Sequence, residues 1–297
     1  MTMKISLGPV QYYWDRNTLL EFYARAVETP VDIIYLGETV CSKRRAMAAA
    51  DWLDLANDIR STGKEVVLST LTLMEAESEL SYTRSLAEQF DGMIEANDYS
   101  VVGIAQRLER PVCAGASLNI YNPATLRRML DFGVRRWLPP LELSGASLQK
   151  LLQHAAIAPS RDRLQTEVLS YGRLPLAHSA RCYTARYRDL PKDRCQFLCG
   201  DYPEGIPMYS QEHQGLFQLN GIQTQSYARC NLIPHWQSLQ QAGVDIMRIS
   251  VSTPICLQQV QRLRDLMDGT STFLAANDGD DCNGYWFGEA GMVHRDS

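Results

Sequence analysis

The chain has no uninterrupted apolar run near the ~18–20 residues that cross a bilayer. Its opening, Met1-Thr2-Met3-Lys4-Ile5-Ser6, lacks the basic and apolar regions of a signal peptide. These absences lead us to expect a cytoplasmic protein with no integral membrane segment. An excess of positive charge is also missing. The formal net charge is −5, which speaks against a nucleic-acid surface as the main feature and argues for no nucleic-acid partner. Hydrolase signatures are absent as well: there are five histidines and no G-x-S-x-G or H-E-x-x-H. His178 and Ser179 are neighbours in sequence, but that does not bring an imidazole and a hydroxyl together as base and nucleophile. No G-x-G-x-x-G follows the first apolar run, which disfavours a doubly wound dinucleotide-binding sheet. No repeat, low-complexity tract or shift of composition marks a domain boundary, so residues 1–297 read as a single domain.

What is present is an alternation of short apolar runs with amphipathic stretches. The runs are Lys4–Leu7, Ile33–Leu36, Val66–Ser69, Gly92–Glu95, Val112–Ala114, Arg136–Leu138, Leu164–Ser170 and Met247–Ser250. Continuous apolar runs of this length suit buried parallel strands. Between them, Leu19, Phe22, Tyr23 and Ala26 follow helical spacing, as do Trp52, Leu55, Ala56 and Ile59, and Leu148, Leu151, Leu152 and Ala155. Val260, Leu263 and Met267 form a sparser stripe, and Thr62-Gly63 and Phe132-Gly133 read as helix stops. Eight such units predict an α/β fold, a closed (β/α)8 TIM-like barrel. One connection is out of scale. From strand seven, near Ser170, to a helix expected near Tyr227 the chain runs about 55 residues, against a usual 2–6. This predicts an inserted loop with a hairpin at about 171–226, in which Pro207–Tyr209 pairs with Leu216–Leu219.

That long loop carries Cys182, Cys195 and Cys199, spaced C-x12-C-x3-C, and Cys41 lies five residues past strand two. Clustered thiols in a reducing compartment point to metal or redox chemistry rather than disulfides. Barrel sites gather at the C-terminal ends of the strands. All four cysteines are therefore expected on one face, despite about 140 residues of separation. Structural zinc sites prefer two C-x2–4-C knuckles, whereas scattered cysteines commonly hold a 4Fe–4S cube. The spacing alone tilts toward the cluster and leaves zinc open. Cys113, Cys230, Cys256 and Cys282 lack ligand spacing and read as buried thiols. Arg181 and Lys192 are either counter-charges for a cluster or solvated surface charges. Glu38, Glu142 and Tyr171-Gly172-Arg173 follow strands, where barrels place substrate contacts; the other reading is that they are loop caps and helix N-terminal carboxylates, and for Glu142 that reading comes first. His178 reads as either a proton donor or a structural imidazole. The acidic run Asp278-Gly279-Asp280-Asp281 lacks a calcium-loop pattern and reads as a solvated turn.

The stretch Gly172-Arg173-Leu174-Pro175-Leu176-Ala177-His178-Ser179-Ala180-Arg181-Cys182, continuing through Leu190-Pro191-Lys192-Asp193-Arg194-Cys195-Gln196-Phe197-Leu198-Cys199, resembles the UbiU/UbiV family of collagenase-like peptidase barrel proteins. Gly8-Pro9, Tyr35-Leu36-Gly37-Glu38 and Asn283-Gly284-Tyr285-Trp286-Phe287-Gly288 extend the likeness over nearly the whole chain. The resemblance implies a 4Fe–4S cluster at Cys41, Cys182, Cys195 and Cys199. It also implies a heterodimer with a UbiU-like partner, a UbiT-like lipid carrier, and anaerobic, oxygen-independent hydroxylation of a precursor in ubiquinone biosynthesis. The family's peptidase label is not followed, because the sequence lacks a protease signature. An alternative reading is a structural scaffold whose metal site only stabilises the complex, the chemistry being carried by the partner. RNA modification, known among relatives, is disfavoured by the acidic balance.

Overall fold

Ile33, Ile34, Tyr35 and Leu36 illustrate how the barrel arises: four β-branched or bulky residues in a row, all buried, bridge a helix and a loop as one short strand. The structure, a computed structural model, describes residues 3–271 and 280–295. Its strands are β1 (Lys4–Val10), β2 (Ile33–Leu36), β3 (Glu65–Ser69), β4 (Met93–Ala96), β5 (Val112–Ala114), β6 (Val134–Trp137), β7 (Gln165–His178), β8 (Ile206–Tyr209), β9 (Gly215–Asn220), β10 (Gln223–Asn231), β11 (Ile246–Val251) and β12 (Asp281–Cys282). The helices are α1 (Arg16–Val27), α2 (Ala49–Ser61), α3 (Glu77–Gln89), α4 (Tyr99–Arg107), α5 (Pro123–Asp131), α6 (Gly145–Gln153), α7 (Tyr183–Tyr187), α8 (Trp236–Ala242), α9 (Cys256–Met267) and α10 (Gly284–Phe287).

β1 to β7 pair in parallel sequence, and β11 closes the ring by pairing with both β1 and β7. The closed eight-stranded parallel barrel is therefore the fold expected from the sequence. The apolar stripes settle where their spacing put them. Leu19, Phe22, Tyr23 and Ala26 are the buried residues of α1, and Trp52, Ala56 and Ile59 those of α2. Gly63 and Gly133 take positive φ after their helices, +87° and +97°.

Two expectations need correction. The segment around Tyr227 is not a helix: Gln223–Asn231 is β10, antiparallel to the outer half of β7 and to β9. The helix begins only at Trp236. Five of the nine residues of β10 are buried against neighbours while the rest stay partly open, a strand pattern in a segment too polar to stand out as an apolar run. Likewise β7 does not stop near Ser170 but runs on to His178, so strand pairing replaces much of the expected loop. The hairpin itself is present, with Pro207 opposite Gln218 and Met208 opposite Phe217.

The barrel interior also departs from a wholly apolar filling. Beside Ile33, Tyr35, Val67, Cys113 and Ile246 lies a buried polar network. Arg248 donates to Glu95 at 2.6 Å and to Glu167 at 2.7 Å, and Ser6 and the Tyr35 hydroxyl each donate to Glu167 at 2.5 Å. Arg136 adds contacts to the Tyr35 hydroxyl at 3.2 Å and to Glu65 at 2.6 Å. Charges so buried persist because they are paired, although the Arg248 Nη2 has no hydrogen-bond partner among the described residues.

A four-thiol pocket beside the barrel mouth

Cys41 sits in the loop that leaves β2, and backbone geometry fixes that exit. Gly37 holds φ +123°, and a Cβ there would come within 2.4 Å of the Ser69 carbonyl oxygen. Glu38 then caps the turn, its carboxylate accepting from Val40 N at 2.8 Å and Cys41 N at 3.0 Å. Cys182 precedes α7, its sulfur accepting from Ala185 N at 3.4 Å. Cys195 and Cys199 bracket Gln196 and Phe197, two consecutive non-glycine residues at φ +51° and +57°. Such paired left-handed residues are sparsely populated and persist where surrounding contacts enforce them. Here Phe197 stacks on Tyr13, with ring centroids 6.0 Å apart.

The result is that Cys41, Cys182, Cys195 and Cys199 all line one small cavity, together with Lys43 and Arg44. Their side chains are not drawn into a cage: among the described residues, no three His, Cys, Asp or Glu groups are gathered in a geometry that would hold a metal ion. The other four cysteines are buried elsewhere. Burial pushes the Cys41 and Cys199 thiols up from their ordinary pKa, while the Arg44 guanidinium pulls both down.

Arg44 is the site residue that the sequence reading missed, although it follows Cys41 by only three positions. Its guanidinium is buried 3.8 Å from Glu38. Burial works against its charge, yet Glu38 and the neighbouring thiols more than compensate and raise its pKa. Lys43 is the second cation: its Nζ reaches Asp193 at 2.8 Å and the Lys192 carbonyl at 3.1 Å, tying the β2 loop to the cysteine loop. Lys192 itself pairs with Glu75, and Arg181 is exposed.

Beside this pocket, the barrel mouth opens a cavity of about 390 Å3, whose lining includes His178, Gln223, Glu142, Asn97 and Asn119. Glu142 accepts from the Tyr121 hydroxyl at 3.3 Å. It does not cap a helix: Ser144 caps α6, whose first turn has no acidic residue. Glu38, in contrast, is the loop cap expected as one of its readings. Tyr171, Gly172 and Arg173 lie within β7, where Arg173 covers the Tyr227 ring at 5.4 Å. His178 and Ser179 have separate partners, the Gln223 amide at 3.2 Å and Arg181 N at 3.1 Å. The two side chains therefore form no nucleophile–base pair. Of the acidic run, Asp278 and Gly279 lie outside the described residues. Asp281 is paired with Arg229 at 3.4 Å and accepts from Asn231 at 2.6 Å.

Fold and site together define a (β/α)8 barrel protein with a four-cysteine pocket at the rim of its mouth. The chain belongs to peptidase family U32, whose family model matches residues 19–254. A solved U32 peptidase is 12% identical over 85% of this chain and 94% of its own, with a TM-score of 0.46. The dihydropteroate synthase of Thermus thermophilus is 12% identical over 91% of this chain and 95% of its own, TM-score 0.46. The tryptophan synthase complex of Pyrococcus furiosus offers a chain 10% identical over 91% of this chain and 100% of its own, TM-score 0.47. Similarities this distant carry no inference about chemistry.

Proposed function

We propose that this chain is the iron–sulfur subunit of an oxygen-independent hydroxylase complex acting on a ubiquinone precursor, together with a UbiU-like partner and a UbiT-like lipid carrier. The observation that carries the reading is that four cysteines from two distant loops line one cavity, with Lys43 and Arg44 among its walls. The donor set fits a thiolate-held cluster: four sulfurs carry negative charge when ligating, and the two cations offset it. Cys41, Cys182, Cys195 and Cys199 would hold the group, and a bound 4Fe–4S cluster supplies one-electron transfer. Burial of the pocket and hydrogen bonds to the sulfurs are the means by which this chain would tune the potential. The neighbouring mouth cavity gives room for a small substrate next to that electron source. The segment Gly172–Cys199 supports the assignment through its likeness to the UbiU/UbiV family.

Iron and acid-labile sulfide, measured per chain after purification without air, test the reading. About four of each are expected, both lost in Cys182→Ser and Cys195→Ser. Stoichiometric zinc without sulfide would sink it and leave a structural metal site.

A further inference from the structure

The polar side chains between the thiol pocket and the barrel mouth form one continuous hydrogen-bonded chain, and its direction is set at one end. Arg44 has only donors, and its Nη2 donates to Asn220 Oδ1 at 2.6 Å. The other end of the Asn220 amide is therefore Nδ2. It donates to the Gln11 carbonyl at 2.7 Å and to Gln223 Oε1 at 3.2 Å. Gln223 Oε1 accepts a second time, from Gln225 Nε2 at 2.7 Å. Gln223 Nε2 is then the donor end, reaching Gln11 Oε1 at 2.9 Å and His178 Nε2 at 3.2 Å. It follows that His178 Nε2 accepts, and a neutral ring so held carries its proton on Nδ1. Burial keeps the ring neutral, with its pKa pushed down to about 4. Among the described residues Nδ1 has no hydrogen-bond partner.

This donor belongs to a ring that lines the mouth cavity, whose walls include Leu73, Leu138, Leu141, Leu169 and Leu176. Apart from that neutral imidazole, Arg248 is the cavity's one cationic lining residue, and it is already paired with Glu95 and Glu167 at 2.6 and 2.7 Å. An anionic ligand would meet Glu95 and Glu142 with no unpaired cation to offset them. A neutral ligand with an acceptor oxygen and an apolar body meets leucines and the oriented Nδ1–H of His178, with the Arg248 Nη2, unpartnered among the described residues, as a further donor in the wall.

We propose that the barrel mouth binds a neutral oxygen-bearing ring, of phenol or quinone type, through a hydrogen bond from His178 Nδ1–H to the ring oxygen. The ring's identity as a ubiquinone-precursor head group rests on the function proposed above; the binding mode does not. Arg44 acts here as a positioning residue, because it fixes the tautomer from outside the cavity; Gln223, which donates to His178 Nε2, also lines the cavity.

Nitrogen-15 NMR of the histidines in the full chain tests it, the His178 signal being assigned by its loss in His178→Phe. The expected state is the Nδ1–H tautomer, whose signal shifts on addition of 2-methoxyphenol. Binding of that probe is expected to weaken about tenfold in His178→Phe. It should be kept in His178→Asn, whose amide nitrogen takes the place of Nδ1. Benzoate, the charged control, is expected not to compete. An Nε2–H tautomer, undiminished binding in His178→Phe, or tighter binding of benzoate overturns the proposal. The two readings fail separately. Iron-free protein that shows the Nδ1–H signal and binds the phenol sinks the cluster assignment alone; cluster-bearing protein with the opposite tautomer sinks this one alone.

Discussion

At the scale of single residues, the interior arginine carries the largest stake. Arg248 is buried between Glu95 and Glu167, so replacing it by Met would leave Glu95 without its cation and Glu167 with Arg136 alone. A loss of about 3–5 kcal/mol is expected, read as a lower urea midpoint. The pair also sets a pH dependence. Burial pushes the Glu167 carboxyl up, but Arg248 and Arg136 outweigh it and hold its pKa below the usual carboxylate value. A depressed folded pKa means that the stabilisation is complete above the unfolded carboxylate pKa and fades as pH falls below it. Stability should therefore drop on acidification below roughly pH 4–5, and more shallowly in Arg248→Met; an unchanged slope would contradict this account. Gly37 is the second stake. A Cβ there meets a backbone carbonyl at 2.4 Å at positive φ, so Gly37→Ala should cost about 1–3 kcal/mol. It should also displace the loop bearing Cys41, seen as faster alkylation of that thiol in the cluster-free chain. None of this network was legible as sequence. Arg136 and Arg248 sit inside apolar runs, and a charge there reads as an interruption until the strands place its partner across the barrel.

At the scale of elements, legibility followed hydrophobic contrast. The helices α1, α2, α6 and α9 announced themselves because one face is apolar and the other charged, and β2 and β5 because every residue is buried. β10 gave no such contrast: Gln223, Gln225 and Ser226 are buried polar residues satisfied by one another and by neighbours. Only the antiparallel partner reveals that they form a strand. The four cysteines were legible by type and by position after strands. Arg44 was not, because its role depends on the turn that folds it back under Cys41. The last helix has its own test. Trp286 is buried where a Cβ on Gly145 would come within 2.6 Å of its ring, and its Nε1 donates to Ser238 at 3.2 Å. Trp286→Ala should cost about 3–5 kcal/mol, measured by thermal or urea unfolding, and loosen α10 from α6 and α8. A change near zero would mean that α10 is an ornament rather than a brace.

At the scale of the whole molecule, one barrel carries two adjoining features at the C-terminal ends of its strands: a pocket of thiols and a cavity lined by the oriented imidazole of His178. The hydrogen-bonded amides from Arg44 through Asn220 and Gln223 to His178 join them. β7 adds a mechanical consequence. Its first half is barrel wall, pairing with β6 and β11, and its second half supports the sheet that carries His178 opposite Gln223. No loop intervenes; Gly172, at φ +120° and close against Ser250, only bends the strand. The overhanging sheet is therefore a cantilever rooted in the barrel, not a lid on a hinge. A ligand entering the mouth meets this overhang of paired strands on one side.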